Sequence, residues 1–505
     1  MGKEADMADA ILYFSVTLFF LVFAFKLYQT KTRQRNLPPG PPGRPITGHL
    51  HLQKPPMHRT FQKLAQKYGP VFSLRFGSRL VVVVSSASAV EECFTKNDVI
   101  LANRPKVLMA KHVSYNYSTV TQAPYSDHWR NLRRIGATEI FSNNRLNMLV
   151  NVRKDEVMRL ITKLSRESLE DFAKVELKSM FQELTFNVMM RMLTGKRYYG
   201  DDVSNEEEAS RFTKLIKELA SYYGTSNPGD FLPLWNLIDG GRFKRKVIEL
   251  AKRTDAFLQW LVDDHRCKMD SESTKTVVYN LLSMQKSQPE YYTDEVIKGF
   301  ILVILMAGSD TTSVTLEWAM ASILNKPDLL KKARDELDGQ VGQDVLLDEP
   351  DLSKLSYLQN IITETLRMYP AAPLLDPHRA SEDCVIAGYR IPRETVVLVN
   401  AWALQRDPTL WDDPYTFMPE RFEKEHDSLA HKLIPFGLGR RSCPATSLAN
   451  RVLGLTLGSM IQCFDWKRMA EEEIDMTEGK GITMPMVIPL EAMCRARPIM
   501  TKILS

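Results

Sequence analysis

Residues 435–445 read Pro-Phe-Gly-Leu-Gly-Arg-Arg-Ser-Cys-Pro-Ala, and this short loop decides how the chain is interpreted. Cys443 precedes a stretch, Ala445 to Leu457, with helical apolar spacing behind a proline, a residue favoured at a first helical position. The dipole of a helix start and the nearby Arg440 and Arg441 favour a thiolate over a thiol. A thiolate there is a nucleophile or a metal ligand. Most free cysteines are inert packing residues, but the surrounding glycines and arginines argue against that alternative here.

The totals describe an ordinary globular chain of 505 residues, 44% hydrophobic and 25% charged. No Gly/Ser-rich or charged linker divides it after residue 50, so we expect one large domain with an N-terminal extension. A net charge of +5 gives no reason to expect a nucleic-acid partner, although a local basic face can still receive an acidic protein. Six scattered cysteines fit a reducing compartment.

The N-terminus predicts a membrane anchor over residues 1–30. Ala10 to Phe25 is almost entirely apolar, and with the following three residues it approaches the ~30 Å of a bilayer core. A cleaved signal peptide is the alternative, but the leader is acidic and no small-residue cleavage site follows. Positive charges come after the span, so a single pass leaves the bulk of the chain cytosolic. The glycosylation sequon at Asn116 should then stay unmodified.

Residues 31–50 are basic and rich in proline, and they predict a stiff hinge. A proline-rich ligand for a partner domain is the alternative. Residues 51–505 then form the functional domain. Its pattern is mainly amphipathic helix with a few strands, among them a hairpin of Val71 to Phe76 and Leu80 to Ser85.

One long helix stands out in the second half of the chain. Thr293 and the two acidic residues after it are typical of a helix start, and Pro327 ends the helix near Asn325. Its solid apolar run is too short to span a bilayer and predicts a buried central helix. Polar residues from Gly308 to Thr312 interrupt that run, which indicates a kink or a functional groove. A packing glycine with back-bonded threonines is the alternative.

The Cys443 loop resembles the haem-binding signature of the cytochromes P450. The matching positions are Phe436, Gly439, Arg441, Cys443 and Ala445, where alanine replaces the usual glycine. Further family motifs occur in family order over nearly the whole chain: Trp129 with Arg133, Ala307 to Thr312, Glu364 with Arg367, and Pro419 to Phe422. The sequence of these motifs is similar to that of plant microsomal cytochromes P450, in the subgroup of isoflavone hydroxylases and lignan methylenedioxy-bridge enzymes. The resemblance implies the cytochrome P450 fold, mainly α with small β-sheets, behind an N-terminal transmembrane helix.

The resemblance also implies roles for individual residues. Cys443 would be the axial ligand of haem b (iron protoporphyrin IX), and the other cofactor contacts would come from Trp129, Arg133, His378, Phe436 and Arg441. Asp310 and Thr311 would form the oxygen groove that delivers protons. A buried structural network would consist of Glu364, Arg367 and Arg421. The substrate pocket would include Tyr115, Tyr117, Ile304, Ala307, Leu375, Asp376 and Val487. Asp376 interrupts an apolar wall, so we hypothesise a pair with a cationic amine, with a solvated loop-end aspartate as the alternative.

These roles imply a monooxygenase that uses NADPH and O2 and is anchored in the endoplasmic reticulum membrane with its catalytic domain cytosolic. Electrons would arrive from NADPH–cytochrome P450 reductase at a basic face with Arg130, Arg134, Lys432 and Arg440. The expected reaction is hydroxylation of a small, mostly apolar cyclic specialised metabolite. Oxidative ring closure or methylenedioxy-bridge formation on a phenolic, lignan or alkaloid is the alternative. Peroxide rearrangement without O2 and a non-enzymatic haem sensor are further alternatives, and Asp310 with Thr311 argues against both.

Overall fold

A computed structural model describes residues 13–18, 36–168, 171–200, 203, 205–223, 227–232, 235–269, 276–423, 432–481 and 483–504. Residues 13–18 are an exposed helical stretch. The rest of the predicted anchor and the basic start of the hinge lie outside the described residues. Within the described part of the chain, Asp294–Leu324 is the helix long and apolar enough to cross a membrane, and it is mostly buried in the protein.

Helices dominate the fold. In chain order they are α1 (Met57–Tyr68), α2 (Ala87–Phe94), α3 (Leu108–Val113), α4 (Asp127–Ile135), α5 (Asn143–Met148), α6 (Val150–Ser168), α7 (Leu177–Thr194), α8 (Glu206–Tyr223), α9 (Trp235–Ile238), α10 (Arg242–Lys268), α11 (Val277–Ser287), α12 (Asp294–Leu324), α13 (Pro327–Gln340), α14 (Ser356–Met368), α15 (Ala401–Leu404), α16 (Thr446–Cys463) and α17 (Ile499–Leu504). The large core is built by these helices around α12. Mainly helical architecture is therefore confirmed.

Three small sheets flank the helices. The strands are β1 (Val71–Phe76), β2 (Arg79–Val84), β3 (Ala173–Glu176), β4 (His378–Arg379), β5 (Cys384–Ile386), β6 (Tyr389–Ile391), β7 (Val396–Val399), β8 (Phe464–Lys467) and β9 (Glu491–Ala496). One sheet has the order β1-β2-β7-β4, in which only β2 and β7 are parallel; the others are β3-β9-β8 and β5-β6. The antiparallel β1–β2 pair confirms the predicted hairpin, whose turn uses Gly77 at φ +56°.

Helix α12 follows its predicted bounds. The Thr293 hydroxyl accepts the N–H of Val296 and caps the start. The helix continues without a break through Gly308 to Leu324. A Cβ at Gly308 would collide with the sulfur of Met189 on α7, so glycine allows the two helices to approach. The packing alternative explains this glycine.

Helix α16 begins two residues later than predicted. Pro444 was expected at the first helical position, but the helix starts at Thr446 and Ala445 occupies the cap position. Pro444 therefore belongs to the loop, and Cys443 is separated from the helix by one turn.

Two buried polar groups join distant parts of the fold. Glu364 accepts two N–H groups of Arg367, at 2.6 and 2.8 Å, and Nε of Arg421 at 3.1 Å. Glu478 accepts hydrogen bonds from Trp402, His58 and Arg59, which connects α1 to the C-terminal region. Burial alone would raise the pKa of Glu478, but the hydrogen bonds from His58 and Arg59 outweigh it and lower the pKa to about 2.

The Glu364 network predicts a large loss of stability when one cation is removed. Arg367 and Glu364 have no exposed side-chain surface, so Arg367→Met leaves a buried carboxylate with incomplete compensation. We expect the free energy of unfolding to fall by about 3–5 kcal/mol, measured by urea unfolding of the full-length protein in detergent. Lys331→Ala, which breaks an exposed pair with Asp335, is the control and should change little. Equal effects of the two substitutions would contradict a structural role for the buried network.

Candidate active site

The Cys443 loop is held in one conformation by its glycines and by a backbone hydrogen bond. Gly437 and Gly439 have φ values of +71° and +68°, which side chains rarely adopt. A Cβ at Gly439 would also collide with the Asp98 carboxylate, which pairs with Arg440 at 2.9 Å. The Cys443 N–H donates to the Phe436 carbonyl at 2.8 Å and closes the loop. The loop therefore presents the Cys443 thiol at a fixed position.

The surroundings of Cys443 oppose the thiolate form that the loop motif predicts. Burial raises the pKa of the Cys443 thiol, and this outweighs the lowering by the Ala445 N–H and by Arg133. The expectation that the loop alone favours a thiolate is therefore wrong. The side chain is nevertheless accessible at the protein surface or cavity wall. A thiolate at Cys443 therefore needs more positive charge than the neighbouring arginine supplies. A coordinated metal ion provides it, because coordination deprotonates a thiol.

Arg441 and Trp129 form one side of the site. The Arg441 guanidinium lies 4.3 Å from the centre of the Trp129 ring. It donates to the carbonyls of Ala102 at 2.7 Å, Val120 at 3.0 Å and Ala123. Trp129 donates to the same Val120 carbonyl at 3.0 Å. Arg441 is thus fixed by backbone acceptors, and burial lowers its pKa to about 9.

Two more guanidinium groups accompany Arg441. Arg133, one turn after Trp129 on α4, lies 3.4 Å from the Ser442 hydroxyl. Arg104 was missed by sequence reasoning. It donates to the carbonyls of Asp376 and Pro377, at 3.1 and 2.9 Å, while its buried Nε has no partner among the described residues. A single arginine in the apolar stretch around it was the available signal. Burial lowers the pKa of both arginines.

This guanidinium cluster, Arg104, Arg133 and Arg441, carries positive charge with little compensation. Asp376 is 3.6 Å from Arg104, but its side chain is 65% exposed. A partly buried cluster of three cations with an orphan donor is suited to an anionic group, and arginine binds carboxylates in a bidentate manner. Together with the thiol of Cys443, the cluster fits a flat metal cofactor that carries carboxylate side groups, as haem does.

Asp376 consequently has a different surrounding from the one hypothesised. Its carboxylate faces Arg104, so a cationic amine at this place would meet a second positive charge. The geometry argues against the amine hypothesis. Leu375, the neighbouring predicted pocket residue, adopts a left-handed φ of +50° in the same turn.

His378 lies beside the guanidinium cluster as a neutral ring. Burial, with the charge of Arg104, lowers its pKa to about 3. Its Nδ1 is 2.8 Å from the Leu101 carbonyl, which assigns a proton to that nitrogen. The other nitrogen then has no proton, so donating a hydrogen bond to a cofactor carboxylate requires protonation of the ring. The predicted contact remains a prediction.

The predicted oxygen groove lies in the middle of α12. Ala307 has an exposed side chain, and the Thr311 hydroxyl donates to the Ala307 carbonyl at 2.7 Å. The Asp310 carboxylate accepts a hydrogen bond from Thr483 on the C-terminal segment. Ser313 donates to the Asp310 carbonyl at 3.0 Å. The small Ala307 leaves space beside the hydroxyl of Thr311, and an acid is its neighbour.

The remaining predicted pocket residues lie in two regions. Tyr115 packs against Gly299 of α12, and its hydroxyl donates to Asp255 at 2.9 Å. Tyr117 donates to the Val107 carbonyl at 3.3 Å. Ile304 is buried on α12, whereas the side chain of Val487 is half exposed in the C-terminal segment. The tyrosine hydroxyls thus already have protein partners, and their rings are the part left for a ligand.

Comparisons with known proteins agree with this geometry. Residues 38–490 match the family Cytochrome P450. Isoflavone 3'-hydroxylase from Medicago truncatula is 53% identical over 497 residues, 97% of this chain and 99% of that protein. Isoflavone 2'-hydroxylase from Glycyrrhiza echinata is 51% identical over 496 residues, 98% of this chain and 99% of that protein.

A solved structure confirms the fold. The zebra fish cytochrome P450 determined with abiraterone has a TM-score of 0.75 and 25% identity, and the match covers 88% of this chain and 99% of that one. Both the plant subgroup suggested by the Cys443 loop and the helical fold are therefore confirmed. The chain belongs to the cytochrome P450 family, the haem monooxygenases that use O2 and electrons from NADPH, delivered by a reductase, to oxidise small molecules.

Proposed function

We propose that this monooxygenase hydroxylates a flat, mostly apolar cyclic specialised metabolite of the isoflavone type. The observation that carries the proposal is identity above half, over nearly full length, to two isoflavone hydroxylases. The aromatic rings of Tyr115 and Tyr117 and the small Ala307 suit a flat ligand next to α12.

Cys443 would hold the haem iron, and the guanidinium cluster would hold the propionates. Trp129 supports Arg441 by stacking, so it acts on the cofactor through that arginine. The bound haem supplies the chemistry that inserts an oxygen atom into a C–H bond. For each O2, two electrons and two protons enter, one oxygen atom goes to the product and the other to water. The chain's part is to bind the substrate, and to hold and move protons at Asp310 and Thr311.

Removing the Cys443 thiol should remove the spectroscopic signature of the site. Cys443→Ser retains a small side chain but not the sulfur, so the reduced protein with carbon monoxide should lose the long-wavelength Soret band that a thiolate ligand gives. The control is Cys267→Ser at an exposed position on α10, which should keep the band. Retention of the band in Cys443→Ser would refute the ligand assignment.

Isotopically labelled O2 separates the proposed reaction from its alternative. Full-length protein in microsomes with reductase and NADPH would be given isoflavones with free ring positions, and others with adjacent hydroxyl and methoxyl groups. Hydroxylation predicts a product with one labelled oxygen atom. Bridge formation or ring closure predicts the loss of two hydrogens without label. An unlabelled product would establish bridge formation or ring closure. Turnover of a hydroperoxide without NADPH would instead favour peroxide rearrangement.

We also propose that the reductase docks on the basic face with Arg130, Arg134, Lys432 and Arg440. Arg130 and Arg440 both lie over the Tyr125 ring, at 5.5 and 5.4 Å, which connects α4 to the Cys443 loop. Both have acidic partners, Asp127 and Asp98 respectively. Arg134 is exposed and donates only to the amide of Asn131 among its described contacts, so its full charge is available.

Charge reversal at Arg134 should therefore slow electron delivery. We expect Arg134→Glu to reduce the rate of reductase-supported haem reduction about tenfold at low salt, with a smaller effect at high salt, because complementary charges steer association. Lys252→Glu, an exposed reversal on α10, is the matched control. Equal losses in both variants would show that net charge, rather than this face, matters.

We propose that residues 1–30 anchor the chain in the endoplasmic reticulum membrane, that residues 31–50 are the hinge and that residues 51–505 are the cytosolic catalytic domain.

A group of exposed apolar side chains supports a second contact with the membrane. Ile46 and Ile238 are 86% and 74% exposed, and Trp235 is partly exposed. Gly48, two residues after Ile46, pairs with Phe76, and Ser78 donates to the Phe231 carbonyl, four residues before Trp235, so both segments that carry these apolar groups meet the β1–β2 turn.

Vesicle flotation tests both parts of this proposal. The full-length protein should float with vesicles of endoplasmic reticulum lipids, and a variant that lacks residues 1–35 should bind more weakly. In the shortened chain, Ile46→Ser with Ile238→Ser should lower binding further, whereas Val345→Ser at another exposed site should not. A full-length protein that stays in solution would contradict the anchor, and a null effect of the double substitution would contradict the second contact.

A further inference from the structure

Helix α12 carries a buried carboxyl group, Glu317, beyond the oxygen groove. It is seven residues after Asp310, two turns along the helix, so the two side chains share a face about 10 Å apart along the axis. Glu317 is 1% exposed. One of its oxygens accepts the N–H of Leu490 at 3.1 Å, and the other is buried with no hydrogen-bond partner among the described residues. A buried carboxyl oxygen without a partner is costly and calls for an explanation.

The surroundings of Glu317 raise its pKa into the neutral range. Burial raises its pKa to about 7. The negative charges of Glu176 and Asp310 act in the same direction, while the Leu490 N–H and Lys178 oppose it. These charges come from β3, α12 and α7, the elements around the group. A residue that only anchored Leu490 would need an acceptor oxygen, which a glutamine also provides.

Polar groups extend from Glu317 in both directions. Toward the oxygen groove, the Thr483 hydroxyl donates to the Asp310 carboxylate, and Ser313 lies between the two acids on α12. Toward the surface, Glu176 and Lys178 are only partly buried. They flank Leu177, whose N–H donates to the Leu490 carbonyl at 2.9 Å. Glu317 thus lies between surface charges and the acid next to Thr311.

We infer that Glu317 is a relay group that returns protons from the surface at Glu176 to Asp310 during turnover. The inference rests on the proposed proton delivery by Asp310 and Thr311. When Asp310 has given up its proton, the O–H of Glu317 releases one, and it passes by way of the Ser313 and Thr483 hydroxyls and intervening solvent to the Asp310 carboxylate. The Glu317 carboxylate then takes a proton from solvent beside Glu176. No electrons move, and each relay cycle carries one proton inward.

Glu317→Gln tests the relay, because it keeps the length of the side chain and the acceptor for Leu490. Substrate affinity and the thiolate-type spectrum should stay unchanged. Product formation should fall about tenfold, less than for loss of a group that transfers the proton directly. More NADPH should be consumed without product, and the solvent deuterium isotope effect on turnover should rise. Wild-type turnover should decline as the pH rises through about 7, where Glu317 loses its proton, and this decline should be absent in Glu317→Gln.

Further variants separate the possible outcomes. Glu317→Asp keeps an acid and should restore part of the activity, and it replaces the glutamine variant if that protein does not fold. Glu295→Gln, an exposed acid in the first turn of α12, should behave as wild type. Asp310→Asn should slow turnover strongly, and adding Glu317→Gln to it should have no further effect. If Asp310→Asn is harmless, the proposed proton delivery is refuted. If Asp310→Asn is impaired but Glu317→Gln keeps the wild-type rate, coupling, isotope effect and pH profile, the relay alone is refuted.

Discussion

The burial of α12 is the constraint on which the rest of the structure depends. A helix of 31 residues passes through the core, and polar groups in its buried second half are stabilised by partners within the protein. Thr311 and Thr315 donate to carbonyls one turn earlier, at 2.7 and 2.9 Å. Trp318 donates to the Met484 carbonyl at 2.7 Å and stacks on Tyr369. Gly308 allows α7 to pack against the same stretch. These contacts on the other sides of α12 fix the position of the groove.

The second constraint is electrostatic and involves the guanidinium cluster. Arg441 and Arg104 are held near Cys443 by backbone carbonyls, and Arg133 by the Ser442 hydroxyl, and these neutral acceptors fix the three arginines without neutralising them. Burial lowers the pKa of each, so their charge is unfavourable in the protein alone. The same holds for Cys443, whose thiolate form burial disfavours. A cofactor that brings a metal cation to the sulfur and carboxylates to the arginines relieves both costs, and its binding therefore adds stability to the folded state.

Local signals made much of this structure predictable. Thr293 and Pro327 indicated the bounds of α12, because the start and the end of a helix depend on residues close in the chain. The Cys443 loop indicated the family through four matching positions, Phe436, Gly439, Arg441 and Cys443. The predictions that failed concern contacts between residues far apart in the chain. The partner of Asp376 is Arg104, 272 residues away, and the reason for Gly308 is Met189 on another helix. The direction of the Cys443 pKa likewise reflects burial, which a short motif does not contain.

The C-terminal segment from Thr483 to Leu490 connects these themes. It accepts the Trp318 N–H, donates from Thr483 to Asp310 and donates from Leu490 to Glu317. Val487, a predicted wall of the substrate pocket, lies between those two donors in the chain. Because one short segment donates hydrogen bonds to Asp310 and Glu317 of α12 and also contains the predicted pocket residue, displacement of this segment by a ligand would change the hydrogen bonds of both acids. With the roles proposed for Val487, Asp310 and Glu317, the fit of the substrate and the supply of protons would be coupled through this segment, and a poorly fitting substrate should waste electrons as well as bind weakly.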